Sequence, residues 1–143
     1  MTRFLHTADW QIGRQFAPFD PHHPRIFAKA RIAAVERLAL LPTGHQVDAV
    51  LVAGDVFDAQ TVSERTVRRL FNALAGYAGP WLMIPGNHDA ALGESVWTRA
   101  QRLGVVPPNA HLLLAPELRL FEAQGFAVLP APLTQRHTYN DLT

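Results

Sequence analysis

Three short strings place acidic, amide and imidazole side chains directly after apolar segments. They are Leu5-His6-Thr7-Ala8-Asp9, Gly54-Asp55-Val56-Phe57-Asp58 and Gly86-Asn87-His88-Asp89. Carboxylates brought close together repel one another and must either protonate or share a cation. A carboxylate has two oxygens and can bridge a pair of divalent ions about 3.5–4 Å apart. Gly54 and Gly86 each precede such a residue, so the backbone can turn sharply and present the next side chain. The chain has no cysteine, so a metal would be held by oxygen or imidazole and not by thiolate. Any one string is an ordinary turn or helix cap. Three in order, each after an apolar run, point to a divalent-cation site.

Such a site needs elements that bring the strings to one place. Thr2 to Thr7 reads as a first strand, and Gln11 to Pro24, with one glycine and three prolines, as a loop. Ile26, Ala30, Ala33, Leu38 and Leu41 recur at helical spacing, and Pro42-Thr43-Gly44 is expected to end that helix. Ala49 to Ala53 is a continuous apolar run suited to a strand covered on both faces. Thr61-Val62-Ser63-Glu64 has capping-box form, with Glu64 reaching back to the cap, ahead of Val67, Leu70, Phe71 and Leu74. Trp81 to Ile84 is the next buried strand, and Ser95 to Leu103 a shorter helix. His111 to Leu114, Leu118 to Glu122 and Phe126 to Leu129 read as strands, the last two joined through Gln124-Gly125. This alternation predicts an α/β sheet with helices packed on it, with its ligands beyond the carboxyl ends of the strands.

Bulk composition narrows the function classes. The chain has 143 residues, of which 48% are hydrophobic and 17% charged. That is the makings of one globular domain and not of a disordered one. No apolar run approaches the roughly 20 residues of a membrane span. The N-terminus meets Asp9 too soon for a signal peptide, so a cytoplasmic setting is expected and no membrane partner. A net charge of +1 supplies no electrostatic footprint for nucleic acid. A nucleic-acid substrate must therefore be argued from the site.

The series Asp9, Gly54-Asp55-Val56-Phe57-Asp58 and Gly86-Asn87-His88-Asp89 resembles the signature of calcineurin-like metallophosphoesterases. Within that superfamily, the His-Thr-x-Asp-Trp-x-x-Gly string from His6 to Gly13 is most similar to the SbcD-type DNA-repair nucleases. The resemblance runs from about Phe4 to Pro132. It implies a layered αββα sandwich, incomplete on its C-terminal side, with residues 1–143 as the N-terminal portion of a nuclease domain. It also implies two divalent cations, Mn²⁺ or Mg²⁺, and hydrolysis of DNA phosphodiesters. DNA, an SbcC-type coiled-coil ATPase and a homodimeric mate are the implied partners. By the same resemblance, Asp55 bridges the two metals, Asp9 and Gln11 belong to the first, and Asn87 to the second. His88 assists the departing oxygen, Asp89 orients His88, and Asp58 stands behind the ligands.

The chain departs from that pattern twice. Gln11 stands where the family has histidine, and its carbonyl oxygen is a harder, weaker donor than imidazole. The family's later histidine ligands have no counterpart, because His111 and His137 lack their sequence context. Asp9, Gln11, Asp55 and Asn87 alone are too few to hold two ions well, so residues 1–143 by themselves are expected to bind metal weakly and cleave little. Other residues read as structural: His6 as hydrogen-bonded, His22 and His23 as solvated, Arg14, Arg68 and Arg69 as solvent-facing, and Phe16 and Phe19 as loop anchors. Trp10 is open between stacking on a base and packing beneath its loop. Two other functions stay open, a phosphoesterase for small esters and a non-catalytic binding domain.

Overall fold

A computed structural model of the protein describes residues 1–16 and 24–137. The chain runs β1 (Phe4–Thr7), α1 (Pro24–Gly44), β2 (Ala49–Ala53), α2 (Glu64–Ala73), β3 (Trp81–Ile84), α3 (Val96–Arg102), β4 (Ala110–Leu112), β5 (Arg119–Phe121) and β6 (Phe126–Val128). Strands β1-β2-β3-β4 form one sheet in that order, and every neighbouring pair is parallel. β5 and β6 make a separate antiparallel hairpin, turned at Gly125 with φ 71°.

Alternation along the central strands assigns the two faces. Val50, Val52, Trp81 and Met83 point into the main core with Ile32, Val35 and Ala39 of α1, Val67, Leu70 and Phe71 of α2, and Val96, Trp97 and Ala100 of α3. The intervening residues Ala49, Leu51, Leu82 and Ile84 meet Leu113 and the hairpin's Phe121, Phe126 and Val128 on the opposite face. The result is a helical layer, a parallel sheet and a β-hairpin layer, in keeping with the first layers of an αββα sandwich. Leu118, Leu120 and Leu129 are 62%, 63% and 73% exposed, so the outward side of the hairpin is apolar and open. No helix among the described residues is long and apolar enough to cross a membrane.

α1 ends at Gly44, within the expected Pro42-Thr43-Gly44, whereas the cap of α2 moves. A proline in the last turn forfeits one intrahelical donor. The end is closed instead by amide bonds from His45 to Leu41 and from Val47 to Pro42, at 3.2 and 3.0 Å. The cap of α2 is Ser63 and not Thr61, since the Ser63 side chain accepts from the Thr66 amide at 3.2 Å. Glu64 falls in the first turn without the reach-back role. The reciprocal capping box occurs instead at α3, between Ser95 and Thr98. Trp10 is 8% exposed, packs edge-on to Trp81 and donates to the Thr7 hydroxyl at 2.9 Å, which settles it as a packing residue. Phe16 lies against Phe27, the anchor expected of it, while His22, His23 and Phe19 fall outside the described residues. His6 is exposed, as are Arg68 and Arg69 on the outer side of α2.

The seam between β4 and the hairpin carries a pH dependence of its own. His111 sits edge-on to Phe121, and burial, then the nearby Arg119 charge, push its imidazole below the usual 6.5. The folded state therefore binds fewer protons than the unfolded one just below pH 6.5. Stability present above that value is lost as pH falls through the window. Urea midpoints measured on either side of that window should fall on acidification in the native protein. His111→Phe keeps the ring contact and should lose less; equal losses would exclude His111 as the source.

Candidate metal centre

Strand register brings the three strings together. Thr7 pairs with Val52 and Ala53 with Ile84, so continuing each pairing by two residues sets Asp9 beside Gly54 and Asp55 beside Gly86. The backbone confirms the alignment. The Asp9 amide donates to the Gly54 carbonyl at 3.2 Å, Gln11 to Asp55 at 2.9 Å and Ile12 to Val56 at 2.9 Å. Gly54 and Gly86 touch through their backbones, since a Cβ on Gly54 would lie 2.9 Å from the Gly86 Cα. A Cβ on Gly86 would stand 2.1 Å from Asp55 Oδ1 and 2.5 Å from the Asp55 amide nitrogen. Gly86→Ala should therefore destabilise the fold by about 1–3 kcal/mol and displace the Asp55 carboxylate. A melting curve would register the first effect, and an unchanged midpoint would count against this close approach.

Backbone strain gathers at the same edge. Among the described residues, four that are not glycine have positive φ: Asp9 at 55°, Gln11 at 46°, Gln46 at 53° and Asp55 at 51°. The left-handed region costs such residues about 1–2 kcal/mol each. Three of the four belong to the expected ligand set, and Gln46 closes the turn after α1. Clustered strain of this kind marks sites where side-chain direction outweighs local stability.

The second and third strings are joined by hydrogen bonds. Asp55 is 8% exposed and its Oδ1 accepts from the His88 amide at 3.0 Å. The His88 ring meets the Asp58 carbonyl through Nδ1 at 2.9 Å. A carbonyl only accepts, so Nδ1 carries a proton and Nε2 is left for other work. Asp89 does not supply this orientation. Its carboxylate, fully buried, accepts from the Gly86 amide at 2.7 Å and the Phe57 amide at 3.1 Å, tying one loop to the other. Burial pushes the Asp89 carboxyl above its usual range, with the Asp55 charge acting in the same direction. The amide hydrogen bonds from Phe57, Gly86 and Val56 oppose that rise without cancelling it.

The side chains are less convergent than the backbone. Asn87, His88 and Asp58 line a cleft of about 450 Å³ together with Gln60, Thr61 and Arg136. Asp9 faces a different cleft of about 240 Å³, with Thr7, Trp10 and Arg31. Among the described residues no three His, Cys, Asp or Glu side chains come close enough to cage an ion. Gln11 is half-buried, and its Oε1 accepts from the Arg14 guanidinium at 2.6 Å. Arg14, expected to face solvent, is half-buried and held on Gln11. The donor set around Asp55 and Asn87, a buried carboxylate and an exposed amide, suits a hard divalent cation. At the position expected of Asp9 and Gln11, one lone pair of the Gln11 oxygen is taken by Arg14, and Asp9 faces the other cleft.

Two contributors had no sequence signal. Gln60 bonds the Ala90 carbonyl and the Val96 amide, both at 2.8 Å, and so fixes the cleft wall to α3. Arg136 lies in a stretch without periodicity, and only the return of the chain past Ala91 and Leu133 puts it on the cleft.

Known proteins are similar to this chain in sequence. The calcineurin-like phosphoesterase family pattern matches residues 2–137. The chain is 44% identical over 94 residues to the SbcD component of the SbcCD nuclease of Rhodobacter capsulatus, covering 62% of this chain and 22% of that relative. It is 38% identical over 102 residues to the Escherichia coli K12 counterpart, covering 65% and 23%. With the counterpart from Bacillus subtilis it is 29% identical over 113 residues, covering 76% and 25%. The chain thus spans about a quarter of the length of these curated relatives. With a match over nearly its whole length and the three strings meeting at one sheet edge, the chain belongs to the calcineurin-like phosphoesterase family.

Proposed function

We propose that residues 1–143 are the N-terminal portion of a nuclease domain that hydrolyses DNA phosphodiester bonds with the help of Mn²⁺ or Mg²⁺. The setting is cytoplasmic, in a homodimer partnered by an SbcC-type coiled-coil ATPase. Similarity to components of SbcCD nucleases supports the substrate and the partner. The observation that carries the chemistry is a pair of contacts at the sheet edge: Asp55 accepts from the His88 backbone amide, and the His88 ring is fixed on the Asp58 carbonyl.

Asp55 and Asn87 would hold the cation, which when bound neutralises charge developing on the phosphate oxygens. With Nδ1 donating to the Asp58 carbonyl, His88 protonated at both nitrogens would give its Nε2 proton to the departing sugar oxygen. Asp89 keeps the two loops in register and acts on the reaction only through their positions. Arg136 borders the same cleft and would meet a phosphate of the bound strand.

End-labelled hairpin DNA incubated with the full-length protein and Mn²⁺ tests this reading. The native protein should cut it, EDTA should stop the cutting, and His88→Ala should slow it by roughly 10²–10⁴-fold. Turnover of p-nitrophenyl phosphate with DNA left intact would replace DNA by a small ester as the substrate.

A further inference from the structure

We infer that Arg65, Arg68 and Arg69, on the exposed face of α2, form a track for the phosphates of a DNA strand leaving the cleft. This deepens the nuclease reading and rests on it. Val67, Leu70, Phe71 and Ala73 turn the opposite face of α2 into the core. Residues three and four apart share one side of a helix, so the three arginines form a single stripe. All three are exposed, and among the described residues none of them has a hydrogen bond or an ion pair. Glu64, the one acid in the helix, pairs with none of them. Arg102 on α3 is different, being matched by Glu94 at 2.6 Å.

The place of the stripe matters as much as its charge. Gln60 and Thr61 line the cleft that holds Asn87 and His88, and Ser63 caps α2 just beyond them. The stripe therefore starts beside the cleft wall, in the first turn of the helix. Arg99 donates to the carbonyls of Gln60 at 3.0 Å and Val62 at 2.6 Å, which fixes that connection against α3. From Arg65 to Arg69 the helix rises about 6 Å. One strand of a duplex carries a phosphate for about every 3.4 Å of axis, so the stripe spans about two steps. Guanidinium groups meet phosphate oxygens through paired N–H donors and keep their charge at any accessible pH. With a net charge of only +1 over the chain, the stripe is a local concentration and not general basicity. Its continuity with the cleft favours the strand held there over an acidic protein surface.

Binding of a fluorescent hairpin DNA to the full-length protein, followed by anisotropy in EDTA over a salt series, tests the track. In Arg65→Gln/Arg68→Gln/Arg69→Gln the slope of log affinity against log salt should shrink by about 2–3, with the melting temperature kept. A variant of equal charge change on other elements, Lys29→Gln/Arg37→Gln/Arg119→Gln, should hold the native slope. Should the α2 variant fail to fold, Arg68→Gln alone should shrink the slope by about 1. A native slope in the folded α2 variant, or equal changes in both triple variants, would overturn the track while leaving the nuclease reading standing. A native slope with loss of the native oligomer would assign the arginines to a protein contact instead. No DNA binding by the native protein, in EDTA or in Mn²⁺, would remove the DNA reading itself.

Discussion

Asp55→Asn should give a folded protein that hydrolyses DNA at least about 10³-fold more slowly, the loss expected when several kcal/mol of cation-assisted charge stabilisation disappear. Asparagine keeps an oxygen where Asp55 Oδ1 accepts the His88 amide, so the link between the two loops survives. Packing around the side chain changes little, because the amide is nearly isosteric with the carboxylate. Only the charge goes. Removing it from so buried a position also lifts a desolvation cost, so the melting temperature should hold or rise slightly. Activity lost with stability kept is the combination that separates a cation-holding residue from a structural one. Hydrolysis at the native rate would mean that the carboxylate takes no part.

Asp89→Ala should have the opposite profile, with stability falling first. The substitution strands the Gly86 and Phe57 amides in a fully buried place. Each lost acceptor costs about 1–3 kcal/mol. Part of that is offset because the ionised carboxyl was itself disfavoured by burial. A net loss of about 3 kcal/mol corresponds to roughly 10 °C in Tm for a domain of this size. Asp89→Asn retains one acceptor oxygen and should fall between native and alanine. Hydrolysis should drop about 10–100-fold through the shifted loops. Calorimetry of the three proteins would show the order, and an alanine variant as stable as native would contradict the tie.

These two residues also show what the sequence makes legible. Both lie in strings whose spacing after apolar runs announced a site, and the parallel strands that unite them follow from the continuous apolar segments at Ala49–Ala53 and Trp81–Ile84. The different work of the two carboxylates was hidden. Asp89 was expected to steer His88, yet its oxygens serve amides 3 and 32 residues away, a choice made by tertiary register. The cap of α2 slid from Thr61 to Ser63 because the apolar positions begin at Val67, one turn after Ser63. Left-handed conformations at Asp9, Gln11 and Asp55 were not marked in the sequence: aspartate tolerates that region better than most residues, but the surrounding sheet imposes it. The Gln11–Arg14 contact was equally unreadable, as it depends on a turn through Gly13 braced by Val62.

Calorimetric titration of Mn²⁺ into the full-length protein, native and Asp55→Asn, bears most directly on the sheet edge as a cation site. Saturable binding to the native protein that vanishes in the variant is the expected result. Binding of equal strength in both proteins, or none in the native one, would contradict it.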